Sequence, residues 1–208
     1  MGLFFSTPIR YDWKPELPDF RDQIFKYTRI NSLPNSVDLR DKIVEPKKDY
    51  GSSSANTIAT ILSTYGYSFS FKGSYEDLSS IRHCIKKFKL KAAYGEKTDF
   101  PYSKLANYKS QLRKSLVDGF PVAFGLTVFE SFESIDQTGV VKQPSEKEKM
   151  LGGVCVLIVG YDNTKAHWIA KHTFGKEFGD NGYIYIPYEV LIRTNNLSTD
   201  FWRITITT

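Results

Sequence analysis

Near Gly119 the sequence changes from a helical pattern to a strand pattern. Before this glycine, apolar residues recur at spacings of three and four, which predicts amphipathic helices. The periodic apolar positions are Ala55, Ile58, Ala59 and Leu62, then Leu78, Ile81, Ile85 and Phe88, and then Leu105, Tyr108, Leu112 and Leu116. After Gly119, segments rich in β-branched and aromatic residues predict strands at 122–128, 154–161, 167–173, 182–186 and 202–206. Helices and strands that are segregated along the chain in this way indicate the α+β class.

The composition limits the kinds of partner that we expect. The 208 residues can bury one sizeable core, or two modest lobes that share an interface. The net charge of +5 comes from 28 basic and 23 acidic residues, and the densest basic cluster is Lys86, Lys87, Lys89 and Lys91. The overall excess is small, and a lysine cluster of this kind is typical of a solvated helix face. We therefore expect no nucleic-acid partner.

The cysteines and histidines predict neither a disulfide framework nor a metal centre. Cys84 and Cys155 lie in unrelated settings, and the three histidines and two cysteines lack metal-ligand spacing. We therefore expect no metal and no cofactor. We also expect an intracellular protein rather than a secreted one, with no signal peptide and no membrane-spanning run.

The first residues fit the pattern for N-myristoylation, with Gly2 followed by Ser6. A single acyl chain on Gly2 would give only weak membrane attachment. The alternative is that these residues are an ordinary apolar start that packs on the body of the protein. The sequence leaves both interpretations open.

Three segments carry a resemblance to a known family. The stretch from Asp49 to Ala59, DYGSSSANTIA, has a turn at Gly51, three serines and the start of the first predicted helix, where serine is a preferred N-cap. It is preceded by LPNSVDLR at 33–40 and followed by GGVCVLIVGYD at 152–162. Together these segments resemble the papain-like cysteine peptidases, in the branch whose nucleophile segment is Gly-Ser-Cys-Thr-Ala-Asn-Ala.

The resemblance extends over nearly the whole chain and implies a fold. Further segments that resemble the family sequence occur at 119–125, 129–134, 138–141, 175–183 and 200–202. The resemblance implies a two-lobed papain-like architecture with a helical lobe and an antiparallel, β-barrel-like lobe. We accordingly divide the chain into an extended N-terminal arm at 1–32, a mainly helical lobe at 33–120 and a mainly β lobe at 121–208. The arm is similar to a short leader rather than to a long inhibitory propeptide, so we expect no zymogen switch.

The same resemblance assigns four catalytic positions, and all four depart from the family pattern. A papain-like site needs a thiolate at a helix N-terminus, a histidine, a residue that orients the histidine, and an oxyanion donor. Ser53 lies at the cysteine position, Val154 at the histidine position and His172 at the asparagine position. Lys47 lies at the position of the oxyanion glutamine. A single engineered change would explain Ser53 alone, so the four departures together predict a natural pseudoenzyme.

Three functional hypotheses follow. The leading one is a non-catalytic structural or protein-interaction component with an unidentified protein partner. Since relatives of this branch occur in large DNA viruses, the resemblance also suggests a virion or assembly component. The second is a regulatory decoy that binds peptides in an open cleft. The third is a hydrolase with a rebuilt Ser53–His172 dyad and Lys47 over the oxyanion, which requires Ser53 and His172 to be hydrogen-bonded.

Overall fold

The structure is a computed structural model that describes residues 11–15, 25, 32–71, 79–91, 97–98, 102–104, 108–193 and 200–205. Most of the predicted arm at 1–32, including Gly2, lies outside the described residues, as do the starts of the second and third predicted helices at Leu78 and Leu105. No helix within the described ranges is long and apolar enough to cross a membrane.

The described elements alternate more than the sequence pattern predicts. The helices are α1 (Ser53–Thr64), α2 (Ile81–Lys87), α3 (Tyr108–Val117) and α4 (Tyr188–Arg193), with 3-10 helices at Arg40–Lys42 and Glu130–Ser134. The strands are β1 (Ser36–Asp38), β2 (Phe69–Phe71), β3 (Phe88–Lys91), β4 (Lys97–Thr98), β5 (Tyr102–Lys104), β6 (Val122–Phe129), β7 (Met150–Asp162), β8 (His167–Lys171), β9 (Tyr183–Pro187) and β10 (Trp202–Ile204).

Helix α1 begins and ends with recognisable capping interactions. The Ser52 side chain accepts a hydrogen bond from the Ala55 backbone N–H at 3.1 Å, which makes Ser52 the N-cap. At the other end Gly66 has a φ of +74°, and the N–H of Tyr67 donates to the carbonyl of Leu62 at 3.0 Å. This is the Schellman arrangement, which favours glycine because its φ is positive. The caps therefore fix where the central helix starts.

The larger sheet is organised around the 13-residue strand β7. Its strand order is β5-β10-β6-β7-β8-β9, and β1 also pairs with β7; β2, β3 and β4 form a separate small sheet. All pairings between the described strands are antiparallel. The helices together with this antiparallel sheet confirm the predicted α+β class.

Two details differ from the sequence prediction. Short strands occur before Gly119, and two of them, β1 and β5, pair with strands that lie after it. Phe88, predicted to end the second helix, instead begins β3 and pairs with Phe71 of β2. Periodicity missed these strands because segments of two to four residues are too short to show a period of 2. Conversely, α4 follows β9 directly in the strand-rich half.

The helices pack on the sheet through aromatic and cationic contacts as well as aliphatic ones. The Arg113 guanidinium on α3 lies 5.2–5.7 Å from the ring centroids of Tyr161, Trp168 and Tyr188. Contacts of this kind contribute to stability when the cation is partly desolvated. They join α3 to β7, β8 and α4. The N-terminal part of α1 packs on β7, where the Thr57 hydroxyl donates to the carbonyl of Cys155.

Candidate functional site

The first residue of α1, Ser53, has its side-chain oxygen fully engaged. Ser53 is 5% exposed. Its Oγ donates a hydrogen bond to Asp12 Oδ1 at 2.8 Å and accepts one from the Cys155 backbone N–H at 3.0 Å. The hydroxyl therefore connects the start of α1 to β7 and to a segment from the N-terminal arm.

That segment, residues 11–15, is called the docked segment below. Asp12 forms a parallel bridge with Gly153 of β7, and the Trp13 backbone N–H donates to the Gly153 carbonyl at 2.9 Å. Gly153 already pairs with Thr127 of β6 on its other edge. Because β8 pairs with β7 only from Leu157 onward, the docked segment occupies the edge of β7 that β8 leaves uncovered.

The indole of Trp13 lies on a floor made by two glycines. Trp13 is 4% exposed. A Cβ built on Gly125 would lie 1.8 Å from the indole, and one built on Gly153 would lie 2.4 Å from it. Neither glycine has a positive φ, so the backbone does not require glycine at either position. The missing side chains instead provide the space in which the indole lies.

Asp12 places a carboxylate at the N-terminal end of α1. The end of a helix that carries unpaired N–H groups is positive, and an anion there is stabilised. The hydrogen bond from Ser53 Oγ fixes the carboxylate in this position. The docked segment thus fills the start of α1 with its own negative charge.

Tyr11 extends the docked segment past Gly152. Its hydroxyl donates to Glu133 Oε1 at 2.9 Å, and its ring meets the Phe174 ring edge-on with centroids 6.2 Å apart. Burial, followed by the bond to the Glu133 carboxylate, raises the pKa of the Tyr11 phenol. Tyr11 is therefore a neutral hydrogen-bond donor at physiological pH.

His172 lies inside an aromatic box and is 1% exposed. Its ring stacks on Phe178 with centroids 4.3 Å apart, contacts Phe174 edge-on at 4.0 Å, and has Phe132 at 6.0 Å. Its Nδ1 accepts a hydrogen bond from the Phe174 backbone N–H at 2.8 Å, and its buried Nε2 has no partner among the described residues. Burial, reinforced by Lys171, lowers the pKa of His172 well below its usual range, so the ring is neutral and carries its proton on Nε2.

The structure does not bring the proposed dyad together. The recorded partners of Ser53 Oγ are Asp12 and Cys155, and the Nδ1 of His172 is occupied by Phe174. The prediction of a Ser53–His172 hydrogen bond is therefore not met. Val154 is fully buried within β7, and Lys47 is exposed. An apolar side chain such as Val154 offers no route for a proton.

Both cysteines are free thiols in buried positions. Cys155 is fully buried in the middle of β7, and burial raises the pKa of its thiol to about 12, although hydrogen bonds with Thr57 and Ser54 oppose the shift. Cys84 is also fully buried, in α2. A reactive cysteine instead needs solvent access and a lowered pKa. Within the described ranges, no group of three or more His, Cys, Asp or Glu side chains could hold a metal ion.

Comparison with known proteins identifies the family. The model of the papain family cysteine proteases matches residues 55–197, which is more than half of the chain. The chain belongs to the papain family. An uncharacterized peptidase C1-like protein of Acanthamoeba polyphaga mimivirus is 40% identical over 93 residues, which is 44% of this chain and 30% of that protein. Cathepsin S of Bos taurus is 36% identical over 75 residues, which is 35% of this chain and 22% of that enzyme.

Solved papain-family structures share the fold over almost the full chain, which confirms the predicted papain-like fold. Xylellain, a cysteine protease from Xylella fastidiosa, matches with a TM-score of 0.77 at 23% identity, over 95% of this chain and 96% of that one. The proCathepsin B S9 structure from Trypanosoma congolense matches with a TM-score of 0.69 at 12% identity, over 95% and 88% of the two chains. The aligned stretches nevertheless span less than a third of the curated relatives named above.

Sequence reasoning did not find the docked segment at this site. It predicted only an extended arm at 1–32, within which Asp12 is not distinguished, whereas the structure puts the Asp12 carboxylate against Ser53. A signal was nevertheless present, because glycine inside a predicted strand often marks the close approach of another chain segment. Gly125 is such a glycine, and Gly152 and Gly153 lie directly before the strand predicted at 154–161; all three lie under the docked segment.

Proposed function

We propose that this chain is a non-catalytic member of the papain family that acts as a structural or protein-interaction component. The observation that carries the proposal is the docked segment, whose Asp12 accepts a hydrogen bond from the Ser53 hydroxyl and whose Trp13 is bound to Gly153 of β7. A substrate that approached Ser53 from this side would have to displace them. The fold would then serve as a scaffold whose former cleft is filled by its own chain.

The chemistry around Ser53 supports the same proposal. A serine hydroxyl is a weak nucleophile unless a well-matched base removes its proton. The hydroxyl donates to Asp12, and a carboxylate is a poor base for a serine hydroxyl. The Nδ1 of the neutral His172 already accepts a hydrogen bond from the Phe174 backbone N–H, and the Val154 side chain has no titratable group. We therefore assign Ser53 a positional role, as a link between α1, β7 and the docked segment.

The two alternatives receive less support. A peptide-binding decoy needs an open cleft, and here the docked segment takes the edge of β7 along which a peptide would pair. A rebuilt hydrolase needs the Ser53–His172 bond, and both groups have other partners.

A role in a virus particle remains part of the proposal. The similarity to a mimivirus protein supports it, and an assembly component inside an infected cell would need neither disulfides nor a cofactor. We also propose that Gly2 is acylated, which would add weak membrane attachment to contacts with a protein partner. Co-expression with an N-myristoyltransferase tests the last point. The intact mass of the protein should rise by one myristoyl group, and the Gly2→Ala variant should show no increase.

Active-site labelling tests the absence of catalysis. The folded protein is treated with a fluorophosphonate that reacts with activated serines and, separately, with an epoxide that reacts with papain-type thiolates. Ser53→Ala and Cys155→Ala variants are the matched controls. We expect no labelling with either reagent. Labelling that disappears in one of these variants would identify an activated nucleophile and overturn the proposal.

A further inference from the structure

The buried imidazole of His172 lies one ring away from the docked segment. Phe174 contacts His172 on one side, with centroids 4.0 Å apart, and Tyr11 of the docked segment on the other, at 6.2 Å. We propose that His172 is an acid-sensitive latch, whose protonation releases residues 11–15 from β7 while the rest of the fold persists. The inference uses the docked geometry and is independent of whether Ser53 is catalytic.

The first step concerns the site of protonation. The neutral ring carries its proton on Nε2, because Nδ1 accepts the hydrogen bond from the Phe174 backbone N–H at 2.8 Å. An added proton must therefore go to Nδ1. Two N–H groups would then face each other, and the bond to Phe174 would be lost.

The aromatic box around His172 is poorly suited to a cation. Its walls are the rings of Phe132, Phe174 and Phe178, which contain no hydrogen-bond acceptor in their side chains. The buried Nε2–H already has no partner in the described part of the chain. Stacking on Phe178 would compensate for part of the charge, but a fully buried imidazolium with two unpaired N–H groups is strongly disfavoured. Protonation is therefore coupled to opening of the box.

The charged and titratable groups on the surrounding elements do not relieve this penalty. They are Tyr11 and Asp12 on the docked segment, Glu130 and Glu133 on the 3-10 helix, His167 and Lys171 on β8, and Lys176, Glu177 and Asp180 on the loop before β9. Glu133 is bound by Tyr11, Asp12 by Ser53, and Asp180 by Tyr185. Lys171, held by Glu45 at 2.7 Å, acts on the imidazole and opposes its protonation.

The third step links the box to the docked segment. The Phe174 backbone is held by the bond to His172, and its ring is the aromatic wall against which Tyr11 rests. Loss of that bond frees Phe174 and removes the wall. The docked segment would then be held without this wall, by its hydrogen bonds to Glu133, Ser53, Gly153 and Ser79 and by the packing of Trp13 on Gly125 and Gly153.

Fluorine NMR of protein labelled with 5-fluorotryptophan tests the latch. The Trp13→Phe variant identifies the Trp13 signal, and Trp168 and Trp202 report on the core. Spectra are recorded from about pH 7.5 to about pH 4.5, a range that includes the ordinary histidine pKa of about 6.5. We expect the Trp13 signal to move from a buried to a solvent-exposed position as the pH falls, with the two core signals unchanged.

The matched control is His172→Asn, in which the side-chain oxygen can still accept from the Phe174 N–H but does not titrate. In this variant the released fraction near pH 5 should be about tenfold smaller than in the wild type. His172→Gln, which likewise does not titrate, is the control if the asparagine variant does not fold. Release at the same pH in both proteins would overturn the proposal, as would a wild-type Trp13 signal that stays buried throughout. Simultaneous movement of all three signals would also overturn it, because this indicates global acid unfolding.

Discussion

Gly125→Ala offers the sharpest perturbation of the docked segment. The new methyl group would lie 1.8 Å from Cε2 and Cζ2 of Trp13, far inside van der Waals contact. Gly125 has no positive φ, so alanine introduces no backbone strain of its own. The indole must therefore move away, whereas β6 itself can remain as it is.

The size of the effect follows from the burial of Trp13. The side chain is 4% exposed, and truncation of a buried tryptophan typically costs about 3–5 kcal/mol. Eviction of the same ring by Gly125→Ala should lower the free energy of unfolding by a similar amount. In a Trp13→Ala background the methyl group enters vacated space, so the same substitution should cost less than about 1 kcal/mol. The two changes should thus be coupled by about 2–4 kcal/mol.

Urea denaturation followed by far-ultraviolet circular dichroism measures the four proteins of this double-mutant cycle. The slope of the transition should remain similar, since the segment is a small part of the buried surface. If Gly125→Ala costs as much without the indole as with it, Trp13 does not occupy the glycine floor. The docked geometry would then be refuted.

Three further predictions concern the charges around the site. Because the pKa of His172 is lowered in the folded state, the unfolded chain binds a proton in acid that the folded chain does not. The free energy of unfolding should therefore fall as the pH drops below about 6.5, by up to about 1.4 kcal/mol per pH unit. His172→Asn should flatten this slope in urea titrations at several pH values, and an unchanged slope would contradict the assignment. Asp12→Ala and Ser53→Ala should each lower the free energy of unfolding by about 1.5–3 kcal/mol. The double variant should lose little more than either single variant, because both changes remove the same charge-assisted hydrogen bond. Additive losses in thermal or urea unfolding would argue against that bond. In the Ser53→Cys variant, the thiol lies beside the Asp12 carboxylate, so it should stay protonated and react slowly with iodoacetamide. Adding Asp12→Asn should raise the alkylation rate about tenfold. Equal rates for the two variants, measured by mass spectrometry, would show that Asp12 does not face this position.

The sequence predicts the fold better than it predicts the site. Apolar periodicity located α1 and α3, and the β-rich segments located β6 to β10, because long elements with one buried face leave a regular pattern. The same reasoning could not locate the strands β2 to β5, which are set by pairing with partner strands rather than by local pattern.

The four family positions illustrate the limit on the site. Their residue types were evident from the sequence, but the partners of Ser53 were not. Asp12 is 41 residues from Ser53 along the chain and Cys155 is 102 residues away, so no local spacing encodes either contact. The rebuilt dyad requires His172 to reach Ser53, and the ring is enclosed by phenylalanine side chains instead. The surrounding phenylalanines would have indicated this only with the three-dimensional contacts in hand.

Amide hydrogen exchange at Trp13 tests the central claim most directly. In the unmodified protein at neutral pH, the Trp13 N–H donates to the Gly153 carbonyl at 2.9 Å and the Lys14 N–H donates to the Ser79 carbonyl at 3.1 Å. Both amides should be protected well beyond the rates of an unstructured chain, and Trp13→Ala should remove the protection of Lys14 without affecting the amides of β7. Exchange of both amides at the rates of a disordered peptide in the folded protein would show that residues 11–15 do not occupy this site. The cleft would then be open, and the non-catalytic account would lose the observation that supports it.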